Sequence, residues 1–300
     1  MVRPANFGFN TQTAVNNAFQ TESTHLSSKE ISDKARQEFD TLVEKIRSVG
    51  VEVIVIEDTD QPVKKDAIFP NNWFTTHING NIITYPMFAP IRRLERREDI
   101  IKLLEERFHY SNRIQLESNE IHDLFLEGTG SIILDRVNRY AYACRSMRTD
   151  EGLLEVFCDL NGLEKIIFDA SDRSGMPIYH TNVMMALGET FCVICMDSIK
   201  NEAERQMVEE KLSSSGKEII DISFAQMNSF AGNMLHLRGK GDETYLVMST
   251  QAYHSLNKNQ IERLEKHTHL LHSSIDTIES SGGGSVRCMI AEIFSPSQRP

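Results

Sequence analysis

Ser281-Gly282-Gly283-Gly284-Ser285-Val286-Arg287-Cys288-Met289-Ile290-Ala291-Glu292-Ile293-Phe294 is a polar, glycine-rich loop that runs into an apolar β-type segment, with a cysteine at the junction. Consecutive glycines let the backbone take positive φ and let a ligand approach the main chain closely. A thiol at such a boundary can be reached by a substrate while a sheet holds its backbone. Arg287 stands beside it as a candidate counter-charge for a thiolate. The stretch also reads as half of a hairpin at the end of the chain. Working back from it, the same loop-then-strand design recurs, and the recurrence decides the fold.

The first full hairpin is Asn72-Trp73-Phe74-Thr75-Thr76-His77-Ile78, the turn Asn79-Gly80, and Asn81-Ile82-Ile83-Thr84-Tyr85. Asn-Gly between apolar runs is a strong short-range hairpin signal. An amphipathic helix is predicted over 91–108 and a strand over 114–116. A second hairpin spans 131–135 and 140–144, with a helix over 150–160 and a strand over 165–168. A third spans 182–187 and 190–194, with a helix over 201–212 and a strand over 218–222. A fourth spans 233–237 and 244–248, with a helix over 259–267 and a strand over 274–278. The fifth unit begins with the Cys288 strand, where the chain runs out. Residues 3–10 supply the missing strand, the helix over 27–49 has apolar residues at Ile31, Ala35, Phe39, Leu42 and Ile46, and a strand follows over 51–56.

A hairpin–helix–strand period of roughly fifty residues signals a stacked array or a ring of equivalent units. Sharing one unit between the two termini favours a closed ring, which removes exposed sheet edges. No linker or composition shift interrupts 1–300, so one domain is expected.

Composition excludes several classes. The 300 residues carry a net charge of -11, with a pI near 5.4, which argues against a nucleic-acid or anionic-membrane partner. No apolar run approaches about 18 residues, so no membrane span is expected. The N-terminus lacks a signal peptide's apolar region. Five cysteines, an odd number mostly in strand-like contexts, fit a reducing cytoplasm. Cys192-Val193-Ile194-Cys195 has metal-ligand spacing, but no second ligand pair follows, so no metal site is expected.

In each unit a polar loop precedes the first hairpin strand: Phe69-Pro70-Asn71-Asn72, Leu126-Glu127-Gly128-Thr129-Gly130, Tyr179-His180-Thr181-Asn182, Asn228 through Asn233, and the Cys288 loop. In a ring these loops converge at one end of the axis. Glu127, His180 and Cys288 then meet, with Asn72 and Asn182 beside them. A cysteine, a histidine and a carboxylate are the parts of nucleophilic catalysis. Taken singly, Asn71 and Asn72 read equally as turn formers, and Gly128 and Gly130 as bulge residues.

The four motifs Phe69-Pro70-Asn71-Asn72-Trp73-Phe74, Leu126-Glu127-Gly128-Thr129-Gly130, His180-Thr181-Asn182 and Gly284-Ser285-Val286-Arg287-Cys288-Met289 resemble, in order and over nearly the whole chain, the guanidino-group-modifying superfamily. Its branch of citrulline-utilisation hydrolases looks most similar. The resemblance implies a five-bladed α/β-propeller, the pentein fold. It implies Cys288 as nucleophile, His180 as general acid/base and Glu127 as the active-site carboxylate, with no metal or organic cofactor. Asn72, Asn182, Gly128 and Arg148 are implied on the substrate, Arg148 at the family's carboxylate-holding position. The implied partner is a small ureido or guanidino amino acid. Exposed hairpin edges make a homodimer an expectation.

Deiminases of this superfamily carry Asp where this chain has Asn72, Asn182 and Gly130. Those carboxylates clasp a cationic guanidinium through charge-assisted hydrogen bonds. An amide offers one acceptor and two donors, which suits a neutral ureido group. The leading expectation is therefore hydrolysis of citrulline to ornithine, carbon dioxide and ammonia. The alternatives are an arginine-derivative deiminase, a dihydrolase, an amidinotransferase, or a non-catalytic binding module of the same fold.

Overall fold

The computed structural model describes residues 1–14, 17, 19–20 and 26–296. Among these the strands fall into five sheets, none hydrogen-bonded to another. Four sheets share one plan, an antiparallel hairpin followed by a helix and a third strand parallel to the second. The first contains Phe74–Thr76, Asn81–Thr84 and Asn112–Gln115. The second contains Ile133–Asp135, Tyr140–Cys144 and Glu164–Phe168. The third contains Met185–Leu187, Phe191–Ile194 and Glu218–Asp221. The fourth contains Leu235–Arg238, Thr244–Ser249 and His269–Ser273. The fifth sheet has two short parallel strands, Val2–Arg3 and Ile56–Glu57.

The helices form where local chemistry starts and stops them. Ser28–Ser48 opens with a capping box between Ser27 and Glu30 and buries Ile31, Ala35, Phe39, Leu42, Val43 and Ile46 along one stripe. Asp150 caps Glu151–Asn161, which ends at Gly162 in the left-handed region, φ +61°. Asn201 caps Glu202–Ser214, and an Asn257/Gln260 capping box opens Lys258–Leu264.

Five expectations are corrected. The strand expected over 3–10 is confined to Val2–Arg3, and the strand expected over 51–56 to Ile56–Glu57. Residues 286–289 form a single helical turn, Val286–Met289, and not the start of a strand. The backbone beyond it finds side-chain partners in place of a ladder. Ile290 O accepts from Arg287 Nη1 at 3.0 Å and Glu292 O from Thr76 Oγ1 at 3.0 Å. Phe294 N donates to Thr76 Oγ1 at 2.9 Å, and Phe294 O accepts from Tyr110 Oη at 2.9 Å. The strand expected over 274–278 lies earlier, at His269–Ser273, and Asp276–Gly282 is a helix. Glu38 satisfies two amides at the start of that helix, Thr277 N at 2.9 Å and Ile278 N at 3.0 Å. The helix expected over 91–108 is split into a 3₁₀ stretch, Pro90–Glu95, and an α-helix, Glu98–Phe108.

A buried histidine ties stability to pH. Burial is the main cause that lowers His77 to about 3, with Arg136 adding to it. The folded protein therefore holds fewer protons here than the unfolded chain as pH falls below about 6.5. Stability from this group is present above that pH and is lost on acidification. His77→Gln is expected to remove about 1.4 kcal/mol per pH unit from the pH dependence between pH 6 and 4. Urea melts of both proteins at several pH values measure the difference, and parallel curves would contradict it.

Candidate active site

The site is built from one-turn helices that precede the first hairpin strands. Gly128–Ser131 packs against both Pro70–Asn72 and Thr181–Met184, and Val286–Met289 packs against Pro70–Asn72. Gly128 sits at φ +47°, and a Cβ there would lie 2.3 Å from Asn71 O. Its place is thus a close backbone approach between two turns. Gly232, before the fourth hairpin, comes as near to Val183 O, at 2.2 Å from an added Cβ.

Glu127 is the residue before its turn and is fully buried. Its Oε1 accepts from Phe88 N at 2.9 Å. Its Oε2 accepts from His180 Nε2 at 2.7 Å and from Arg148 Nη1 at 3.5 Å, and Arg92 Nη1 lies 3.9 Å away. Burial opposes ionisation of this carboxyl. Arg148, His180 and Arg92 outweigh it and hold the group well below the usual carboxylate range.

His180 is the residue before the turn Thr181–Met184. With Nε2 given to Glu127, the lone pair of Nδ1 remains for chemistry. Burial lowers its pKa to about 4, against the raising effect of Glu127. The imidazole is therefore neutral at pH 7.

Cys288 lies on the turn Val286–Met289 and is 6% exposed. Asn182 Nδ2 and Asn233 Nδ2 both lie 3.3 Å from its Sγ. Two N–H donors converging on one sulfur is an arrangement that suits a thiolate acceptor. Asn182 follows His180 by two residues, so the imidazole and the amide that touches the Cys288 thiol belong to one turn.

Asn72 Oδ1 accepts from Arg92 Nη1 at 2.9 Å, while its Nδ2 is buried with no partner. Asn182 Oδ1 is likewise buried and unpartnered, as are both amide atoms of Asn71. Gly130 has no room for a side chain: an added Cβ would lie 2.4 Å from Asn72 Nδ2 and 2.8 Å from His180 Cε1. Arg148 is buried beside Glu127, with its guanidinium 4.8 Å from the Tyr179 ring centroid.

Two contributors escaped the sequence motifs. Arg92 is 3% exposed, pairs with both oxygens of Glu95 at 2.8 and 2.9 Å, and reaches Asn72 and Glu127. Its signal was faint, an arginine and an acid three apart after Pro90. Asn233 donates to Asn182 O at 2.8 Å as well as to Cys288, and accepts from Arg287 N at 3.1 Å. Its position in the remaining equivalent loop was the available clue. Among the described residues no group of three or more His, Cys, Asp or Glu side chains is placed to hold a metal ion. No helix among them is long and apolar enough to cross a membrane.

The model of the family "N,N dimethylarginine dimethylhydrolase, eukaryotic" matches residues 3–295. No curated protein matches. Among solved structures, the substrate-bound N-terminal domain of ArgZ, an arginine dihydrolase from the ornithine-ammonia cycle in cyanobacteria, is similar with a TM-score of 0.74. It is 15% identical over 98% of this chain and 98% of that one. AgrE in a binary complex with L-arginine has a TM-score of 0.73 and 17% identity over 98% of this chain, which spans 40% of that longer protein. A dimethylarginine dimethylaminohydrolase adduct with S-methyl-L-thiocitrulline has a TM-score of 0.64 and 14% identity over 96% of each chain. Likeness at these identities is likeness of fold, a mixed α/β arrangement of small sheets. The match along residues 3–295 goes further: the chain belongs to the eukaryotic N,N-dimethylarginine dimethylhydrolase family, hydrolases acting on guanidino groups within the guanidino-group-modifying superfamily.

Proposed function

We propose that this protein is a cysteine hydrolase that removes the whole ureido carbon of a small amino acid, with citrulline converted to ornithine, carbon dioxide and ammonia. The observation that carries the reading is the pair of unpartnered buried amide atoms, Nδ2 of Asn72 and Oδ1 of Asn182. Nδ2 of Asn72 is a donor near His180, and Oδ1 of Asn182 is an acceptor on the amide that touches Cys288. A ureido group presents both an oxygen and N–H groups, so it satisfies the two together. A guanidinium presents donors alone and would leave Asn72 Nδ2 unpaired.

In this reading the Cys288 thiol passes its proton to neutral His180 as sulfur attacks the ureido carbon. His180 then protonates the departing ammonia, and a thiocarbamate remains on sulfur. Glu127 holds His180 Nε2 and balances the transient imidazolium. Water, deprotonated by His180 Nδ1, attacks the thiocarbamate and releases the thiol and an N-carboxylated amine, which loses carbon dioxide to give ornithine. Asn182 and Asn233 donate to sulfur when it carries charge. Arg148, turned to Glu127, keeps that carboxylate ionised and in place. We further take the five sheets as the blades of one propeller formed by the whole chain, with the converging turns at one end. Five buried free cysteines suit a reducing compartment.

A second reading takes arginine as the substrate, consumed by two successive hydrolyses at the same carbon. The fold similarity to ArgZ, an arginine dihydrolase, favours it. Asn72→Asp separates the two, because it keeps the acceptor that Arg92 uses and removes the donor. The citrulline reading expects kcat/KM on citrulline to fall about tenfold to a hundredfold, with arginine turnover unchanged or improved. Equal loss on both substrates would favour the second reading.

A further inference from the structure

A cavity of about 640 Å³ lies away from the catalytic cluster, and none of Cys288, His180, Glu127, Asn72 or Asn182 lines it. Its walls come from several units and from the segment after the nucleophile. Val53, Phe108, Leu134, Leu187, Leu237 and Ile293 give it an apolar body.

One cation in the wall stands without a direct carboxylate partner. Each acid in the wall has its own cation: Asp135 pairs with Lys217 at 3.0 Å, Glu189 with Arg238 at 2.7 Å, Glu292 with Arg287 at 2.9 Å, and Glu52 with Arg107 at 2.7 Å. Arg136 has no carboxylate within ion-pair distance among the described residues; Glu292, the carboxylate whose charge acts on it, is paired with Arg287. Its guanidinium lies 3.8 Å from the Phe294 ring centroid, and Nη1 reaches only His77 Nδ1, at 3.5 Å. Arg136 is half-buried, and a guanidinium stays charged at neutral pH, so it offers an anion a charged donor in the cavity wall.

We propose that this cavity is a binding site for a small organic acid, its carboxylate on Arg136 and its short apolar body against the aliphatic wall. The site adjoins the nucleophile's support. Arg287 lines the cavity, its backbone N–H donates to Asn233 Oδ1, and Asn233 Nδ2 lies on Cys288 Sγ. A bound acid that draws Glu292 and Arg287 to a new arrangement therefore alters the reactivity of Cys288.

The test uses 3-methylbutanoate and its neutral twin, 3-methylbutanamide, on the full chain without substrate, read by isothermal titration and thermal melting. The carboxylate is expected to bind saturably in the millimolar range, and the amide at least about tenfold more weakly. Arg136→Met is expected to lose that preference, and saturating 3-methylbutanoate to change the rate of Cys288 alkylation by iodoacetamide. Absence of saturable binding, or equal binding of acid and amide to the wild-type protein, would overturn the site. Wild-type affinity in a folded Arg136→Met variant would also overturn it, and an unchanged alkylation rate would overturn the link to Cys288. Binding is measured without turnover, so failure of the ureido reading leaves this result interpretable.

Discussion

Cys288→Ala is expected to yield a folded protein whose turnover is lower by about 10⁴-fold or more on any ureido or guanidino substrate. Every step of the proposed route passes through a covalent bond to this sulfur. No other cysteine can replace it, because Cys144, Cys158, Cys192 and Cys195 are buried in the apolar core. Burial pushes the Cys144 and Cys195 thiols up to about 11 and Cys158 to about 12, which leaves them inert at neutral pH. The fold should survive. Alanine suits a helical turn, and the main loss is two amide donors left near a vacated sulfur, a cost of about 1–2 kcal/mol. Steady-state kinetics alongside a thermal melt measure both. Substantial turnover by the folded variant would remove Cys288 as nucleophile.

Gly130→Ala is the second large effect, and it is specific to this geometry. An added methyl would sit 2.4 Å from Asn72 Nδ2 and 2.9 Å from His180 Nδ1. Neither neighbour yields easily. Arg92 holds Asn72 by its Oδ1 at 2.9 Å, and Glu127 holds His180 by its Nε2 at 2.7 Å. Displacing the imidazole by a fraction of an ångström to an ångström is expected to lower kcat/KM about a hundredfold. Overpacking is expected to lower stability by about 1–3 kcal/mol. Near wild-type kinetics in Gly130→Ala would show that the two side chains are free to move and that their placement here is not the reacting one. The same contact gives a physical reason why the deiminase pattern, with Asp at this position, does not fit this chain without rebuilding the Asn72 and His180 environment.

Much of the fold could be read from local signals. The helix starts at Ser27, Asp150 and Asn201 and the hairpin turn at Asn79-Gly80 are found where expected, whereas the helix expected over 259–267 opens one residue earlier, at Lys258, behind an Asn257/Gln260 capping box. The hairpin–helix–strand order repeats through four sheets because apolar spacing encodes it. What local signals did not carry were the single helical turns at Gly128–Ser131, Thr181–Met184 and Val286–Met289. A turn of four residues is too short to show a 3.6-residue period, so these merged with the strands that follow. The tail after Met289 reads as a strand by composition, yet its backbone partners are Thr76, Tyr110 and Arg287 side chains, which no local pattern announces.

The site divides the same way. Cys288, His180, Glu127, Asn72 and Asn182 sit in motifs and are brought together. Arg92 and Asn233 act through contacts 20 and 55 residues distant in sequence, so only the folded chain reveals them. The lack of a direct carboxylate partner for Arg136 has the same origin, since it depends on which acid each cation meets.

The central claim is that the ureido carbon leaves the substrate altogether through Cys288. The most direct measurement follows that carbon by NMR with citrulline labelled with ¹³C at the ureido position and, in parallel, arginine labelled at the guanidino carbon, using Cys288→Ala as blank. The label is expected to appear as bicarbonate, with one ornithine formed per citrulline consumed. Citrulline that is left untouched while labelled arginine accumulates as labelled citrulline would contradict the claim and make the protein a deiminase.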